Sequence, residues 1–404
     1  MASHEFDRRH FIKNSLIGGA GALLTTSLIA GQKDGSPAEA TDAPPMIKRK
    51  LGNTGIELPI VSFGVMRADS PALIKAAIAA GMVHFDTAHG YQNGKNEEML
   101  GNIFKDYKRD SFVISTKVKP ADAGRNGEPG SGAAKREFLE KLDISLQRLK
   151  MEYVDILYCH DCSSRSAVLS PEILDALTEA KKAGKAKHVG ISTHRNEPEA
   201  IRAAIDSGVH EVVLTSINFK QGHLAEVRKA IAEAAKAGLG IVAMKTMAGG
   251  FHDKERTKPV NCKAALKFVL NDENITTAIP GITNFDMLAM NASVNRDLVM
   301  SEEEQADLAL LESLPEGLYC QGCRQCVPDC AKGLPIPDLM RAYMYTYGYR
   351  DMQQAHSLLT SLNLEENPCA GCAACTATCA KNFAVSERIT DVMRLTQMPA
   401  EFLS

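Results

Sequence analysis

The chain has 404 residues, is 45% hydrophobic and 24% charged, and carries a formal net charge of −3. That length suits one large core plus a smaller unit. The nearly balanced charge, sparse aromatics and absence of tryptophan argue against a nucleic-acid surface, which gathers cations on one face and stacks bases on rings.

Asp7-Arg8-Arg9-His10-Phe11-Ile12-Lys13 opens the chain. The uncharged run from Leu16 to Ala30 and then Ala38-Glu39-Ala40 follow. The apolar run is shorter than the ~20 residues of a spanning helix. The twin arginine, short apolar run and A-x-A site resemble a twin-arginine translocation signal. The resemblance implies engagement of the translocation machinery and a periplasmic or otherwise exported protein, with residues 1–45 as signal and linker.

After Pro44-Pro45, short β-branched runs alternate with Ala-rich helical stripes. Strand character falls at Val83-His84-Phe85, Phe112 to Thr116, Val154 to Tyr158, Ala186 to Ser192, Glu211 to Ile217, Gly240 to Met244 and Thr276 to Ile279. Arg136 to Lys150 carries a helical apolar stripe. Gly81, Gly184, Gly208 and Gly238 follow helical stretches where a left-handed cap is expected. Seven βα steps plus an opening Leu51 to Gly64 segment predict an α/β fold, an eight-stranded β/α (TIM) barrel of about 250 residues. A doubly wound sheet competes, but no G-x-G-x-x-G opens a helix after the first strand.

Hydride reduction of a carbonyl builds negative charge on its oxygen, so the site needs a proton donor and a positive field. A tyrosine, with pKa about 10, is a poor acid alone. A lysine cation beside it favours the phenolate, and a carboxylate holds that lysine charged. In a barrel these groups belong at the C-terminal strand ends. Asp86 and Tyr91 follow one strand, Lys117 ends the next, and His160 ends the one after.

Residues 86–101, D-T-A-H-G-Y-Q-N-G-K-N-E-E-M-L-G, with Leu51-Gly52-Asn53-Thr54-Gly55 and Val189-Gly190-Ile191-Ser192, resemble the aldo/keto reductases over roughly residues 46–300. The resemblance implies a tetrad: Tyr91 as acid/base, Lys117 tuning it, Asp86 anchoring Lys117 and His160 orienting the substrate carbonyl. It also implies an NADP or NAD cofactor, with Ser192 and Asn218 at the nicotinamide amide and Met244 where many members stack a tyrosine. The last strand ends Ile279-Pro280-Gly281-Ile282-Thr283-Asn284. Gly281 stands where many members have a lysine gripping the 2′-phosphate, which weakens NADP relative to NAD. Backbone amides near Gly281, Thr283 and Asn284 remain suited to a phosphate.

Beyond a polar helix from Ser301 to Leu314, Cys320-x2-Cys323-x2-Cys326-x3-Cys330 is repeated as Cys369-x2-Cys372-x2-Cys375-x3-Cys379. This is the bacterial ferredoxin spacing for cubane clusters, and soft thiolates at this density suit iron–sulfur chemistry, with zinc and disulfides as alternatives. Ala331 and Ala380 replace the proline that ferredoxins carry after the fourth cysteine. The ferredoxin resemblance implies that Cys320, Cys323, Cys326 and Cys379 share one 4Fe–4S cluster, and Cys369, Cys372, Cys375 and Cys330 the other. Helical patterns over Leu339 to Tyr349 and Met352 to Leu362 resemble an α-helical ferredoxin. The tyrosine-rich stretch inside the first reads as core packing or interdomain contact. Cys159 and Cys162 flank His160; burial is their expected role.

The expected organisation is therefore 1–45 signal and linker, 46–314 reductase barrel and 315–404 a C-terminal, mainly α-helical, ferredoxin-like domain with two 4Fe–4S clusters. The expected function is oxidoreduction of a small-molecule carbonyl or alcohol with NAD(P), electrons passing through the clusters to a redox partner protein. The alternative is an exported iron–sulfur electron-transfer protein with a non-catalytic barrel.

Overall fold

The computed structural model describes residues 44–404 apart from 121–122, 125–126, 130–133, 252, 254, 314–316, 321, 365, 400–401 and 404. The twin-arginine segment lies outside the described residues. An antiparallel hairpin, β1 (Lys48–Lys50) and β2 (Glu57–Pro59), comes first. Eight parallel strands follow: β3 (Phe63–Gly64), β4 (His84–Asp86), β5 (Val113–Val118), β6 (Val154–Cys159), β7 (Ala186–Thr193), β8 (Val212–Ser216), β9 (Gly240–Met244) and β10 (Thr277–Ala278). They pair in chain order, and bridges from Val61 to Ala278 and Gly64 to Gly281 close the ring. The predicted barrel is thus observed, strand for strand.

Period-two alternation explains the closure. Ile156 and Tyr158 on β6, Val212 and Leu214 on β8, and Val242 on β9 point inward and pack with Leu51 and Leu58 of the hairpin. Leu157, Cys159, Val213, Ile241 and Ala243 point outward against the helices. Arg49 locks the hairpin across the N-terminal end by donating to the carbonyls of Leu270, Asp272 and Ile275 at 2.6–3.1 Å. Gly190 on β7 admits no side chain, because a Cβ there would lie 1.9 Å from the Val212 carbonyl oxygen.

The helices between strands are α1 (Pro71–Ala79), α2 (Lys95–Phe104), α3 (Ala134–Leu149), α4 (Pro171–Lys182), α5 (Glu197–Ser207), α6 (Leu224–Lys236) and α7 (Cys262–Leu270), with α8 (Phe285–Val294) after β10. Gly81, Gly184, Gly208 and Gly238 take φ between 62° and 90°, as their cap positions require. After α9 (Glu302–Ser313) come α10 (Ile336–Tyr343), α11 (Met352–Ser361) and α12 (Val385–Met393). The helix expected from Leu339 begins earlier, at Ile336 with Pro337 in its first turn, and runs into a π-helical turn, Met344–Tyr349. There Thr346 Oγ1 donates back to the Ala342 carbonyl at 2.9 Å.

A second apolar core joins the two parts of the chain. Phe219, Ala248, Ala264 and Ala265 of the barrel pack with Leu318, Leu339, Tyr343 and Met344 of the C-terminal segment. That segment therefore covers the barrel beside the ends of β8 and β9, and Tyr343 and Tyr345 of its tyrosine-rich stretch are buried.

Candidate active site

Strand pairing delivers the four predicted side chains to one rim. Asp86 pairs with Ser115, Lys117 with Tyr158, and Val118 with Cys159, so three neighbouring strands end level with one another. His160 follows β6, its amide donating to the Val118 carbonyl at 2.9 Å. Tyr91 opens a short 3-10 turn in which Gln92 and Asn93 are left-handed.

Lys117 Nζ donates to Asp86 Oδ1 and, at 2.6 Å, to the Thr87 carbonyl. Ser115 Oγ donates to the other Asp86 oxygen at 2.6 Å and lies 2.9 Å from His84 Nε2. Lys117 and Asp86 are both almost wholly buried. The Lys117 ammonium stands 4.9 Å from the centroid of the Tyr91 ring, and the His160 ring meets Tyr91 edge-on at 6.1 Å. The four residues form one constellation.

Burial, reinforced by the charges of Asp86 and Asp161, pushes the Tyr91 hydroxyl up. Burial draws the Lys117 ammonium down, and Asp86 opposes that by holding the cation. Tyr91 therefore holds its proton at neutral pH. Burial and the Lys117 charge hold the His160 imidazole down at about 3, so it too is neutral.

Other histidines are buried neutral. Burial lowers His84 and His210 to about 4, against about 6.5 in an unfolded chain. Below pH 6.5 the unfolded chain takes up protons that these side chains refuse. Stability is then expected to fall between pH 6.5 and 4, by roughly 1.4 kcal/mol per pH unit for each histidine. Urea midpoints at pH 7.5 and 5 measure this, and His210→Gln should shrink the difference.

The rest of the signature is scaffolding. Thr87 Oγ1 donates to Asn96 at 2.6 Å, Asn96 Nδ2 to the Val65 carbonyl at 2.8 Å, and Thr116 Oγ1 to Glu97 at 2.7 Å. Arg148 ties Glu97 to the His89 carbonyl.

The predicted cofactor contacts also lie on the rim, though not in one cluster. Ser192 is buried and its Oγ accepts the Asp161 amide at 3.0 Å; Asn218 is buried and its Nδ2 donates to the Lys245 carbonyl at 3.2 Å. Both groups thus organise the rim itself. Met244 ends β9, half-buried. Gly281 is exposed and borders open space, and Asn284 caps α8 by accepting the Met287 amide at 2.8 Å.

Cys159 and Cys162 are buried with their sulfurs 3.2 Å apart. Among the described residues, no three His, Cys, Asp or Glu side chains are already gathered for a metal ion. Neighbouring thiols act on one another: Cys326 and Cys379 on Cys320, Cys379, Cys323 and Cys330 on Cys326, and Cys375, Cys372 and Cys330 on Cys369, so Cys330 adjoins both runs.

Sequence reasoning passed over Ser115, Asp161, Arg195, Lys245, Asp338 and Arg341. Asp161 follows His160 directly and Lys245 follows Met244, so adjacency to predicted site residues was the available signal. Asp338 and Arg341 reach the rim only through tertiary docking.

A closed parallel β/α barrel with buried Asp86 and Lys117 and half-buried Tyr91 and His160 converging at the C-terminal rim defines a class of barrel built for polar chemistry at that mouth. The chain belongs to the aldo/keto reductase family, whose profile matches residues 60–264. It is 34% identical over 165 residues to the L-glyceraldehyde 3-phosphate reductase of Escherichia coli K12, covering 37% of this chain and 46% of that protein. It is 25% identical over 308 residues to the L-galactose dehydrogenase of Arabidopsis thaliana, covering 66% and 94%. The chain thus matches about half the length of the first of these relatives. An aldo-keto reductase from Bacillus halodurans shares the fold with a TM-score of 0.53 at 20% identity, covering 69% of this chain and 99% of that one.

Proposed function

We propose that the chain is an NAD(P)-dependent oxidoreductase that interconverts a small carbonyl compound and its alcohol. The convergence of Tyr91, Lys117, Asp86 and His160 at one rim carries this reading. A bound nicotinamide would supply the hydride. Tyr91 gives its proton to the carbonyl oxygen as charge develops there. The Lys117 cation, kept charged by Asp86, stabilises the resulting tyrosinate. Neutral His160 donates a hydrogen bond to the same oxygen and fixes the carbonyl face. Ser192, Asn218 and Met244 would hold the nicotinamide ring, with Gly281, Thr283 and Asn284 at a phosphate. Consumption of NADH and NADPH with a panel of aldehydes and ketones tests the activity; no turnover with any pair counts against it.

The proposal extends to the domain plan. Residues 46–314 form the reductase barrel, and residues 315–404 a ferredoxin-like domain holding two 4Fe–4S clusters that pass single electrons to a partner protein. The cysteine spacing supports interleaved ligand sets: Cys320, Cys323, Cys326 and Cys379 for one cluster, and Cys369, Cys372, Cys375 and Cys330 for the other. Residues 1–45 would direct export by the twin-arginine route, which suits a protein that loads clusters before crossing. Anaerobic purification should yield about eight iron and eight acid-labile sulfide per chain, and Cys326→Ala should lower both. Iron and sulfide near zero after anaerobic reconstitution would remove the clusters from the proposal.

A further inference from the structure

Asp86 and Lys117 lie within strands, whereas His160 sits in the turn after β6. The direction of its ring therefore depends on what fixes that turn. The next residue, Asp161, is left-handed at φ 65°. A side chain other than glycine holds that conformation only where its surroundings impose it. Here the Asp161 amide donates to Ser192 Oγ at 3.0 Å, and the Cys162 amide donates to the Ser192 carbonyl at 2.9 Å.

The Asp161 carboxylate is gripped as firmly as its backbone. Arg195 Nη2 donates to both of its oxygens at 3.2 Å. His194 Nε2 lies 3.3 Å from Oδ1, and Lys119 Nζ 3.8 Å from Oδ2. Burial alone would raise the Asp161 carboxyl, but the charges of Arg195, Arg341 and Lys119 outweigh it and hold the group below its usual range. Arg195 is fixed in turn from the C-terminal segment. Its Nη1 donates to Asp338 of α10 at 2.6 Å. Arg341, one turn further along α10, donates to the same Asp338 oxygen at 3.4 Å and to the His194 carbonyl at 3.4 Å. The side chains of Arg195 and Asp338 are each 8% exposed, so little water is at hand to replace either partner.

We infer that Asp161, Arg195 and Asp338 are positioning residues for His160: a buried chain of ion pairs, running from α10 into the turn after β6, that fixes the direction of the carbonyl-orienting imidazole. The inference rests on the reductase reading above. It makes the C-terminal segment a working part of the barrel's site, because Asp338 belongs to α10.

The test uses the full chain. Asp161→Asn is the sharpest variant: asparagine tolerates the left-handed backbone and keeps the size, but loses the charge that Arg195 grips. It should lower kcat/KM for the best carbonyl roughly ten- to a hundredfold, as expected when an orienting group is displaced by about 1 Å, while nicotinamide affinity holds. Asp338→Asn should produce a loss of the same kind. Placed on a His160→Gln background, either substitution should cost little more, because its effect passes through a ring already removed. A second readout needs no turnover. In spectra of the chain labelled with nitrogen-15 histidine, the ring signals that vanish in His160→Gln should shift in Asp161→Asn and in Asp338→Asn. The signals of His84, buried on β4, should stay in place. Undiminished losses on the His160→Gln background overturn the proposal, as do His160 signals that stay put in either variant. If the wild-type chain reduces no carbonyl, the reductase reading fails, and the His160 signals alone decide the positioning.

Discussion

Replacing Tyr91 by phenylalanine is expected to lower carbonyl reduction by roughly 10²- to 10⁴-fold, the range for a lost general acid. Only one oxygen is removed. The ring that Lys117 faces and His160 meets edge-on is kept, so folding and cofactor affinity should persist. The loss should fall on kcat, because the proton is transferred in the transition state and not in the ground state. The measurement is kcat and KM for the best carbonyl of the panel, with nicotinamide affinity as control. If electrons move through the C-terminal domain at an unchanged rate in this variant while carbonyl turnover is absent in both forms, the barrel is a scaffold for a relay.

The second large effect is on stability as well as turnover. Lys117→Met leaves Asp86 in a site where each partner is at most 2% exposed. Removing one member of a buried ion pair costs about 3–5 kcal/mol, mostly through the stranded charge. A double variant, Lys117→Met with Asp86→Asn, should recover much of the urea midpoint and none of the activity. Full stability in the single variant would show that Asp86 is not held by Lys117.

The strands were legible because their signal is local. Alternation of apolar residues, glycine at helix ends and β-branched runs such as Val154 to Tyr158 each act over a few residues, and the barrel is what those pieces build when paired in chain order. The tetrad was legible for a related reason: a parallel barrel puts every strand's C-terminal end on one rim, so Asp86, Lys117 and His160 had to meet there. Less legible was the helix around Leu339 to Tyr349. Its π-helical turn sits where the tyrosines pack into the shared core, which no local pattern announces.

Residue types and their order in the chain thus settled the fold class, the four rim residues and the grouping of the cysteines into two runs. Only the tertiary structure decided how those residues behave. Burial and the nearby Asp86 and Asp161 charges push the Tyr91 hydroxyl up, because desolvation and net local charge depend on everything packed around a group. Likewise Arg195, Asp338, Arg341 and Lys245, spread over more than a hundred positions, become neighbours only when α10 docks on the barrel mouth. A sequence records the order of such charges; which of them meet is decided only where packing brings them together.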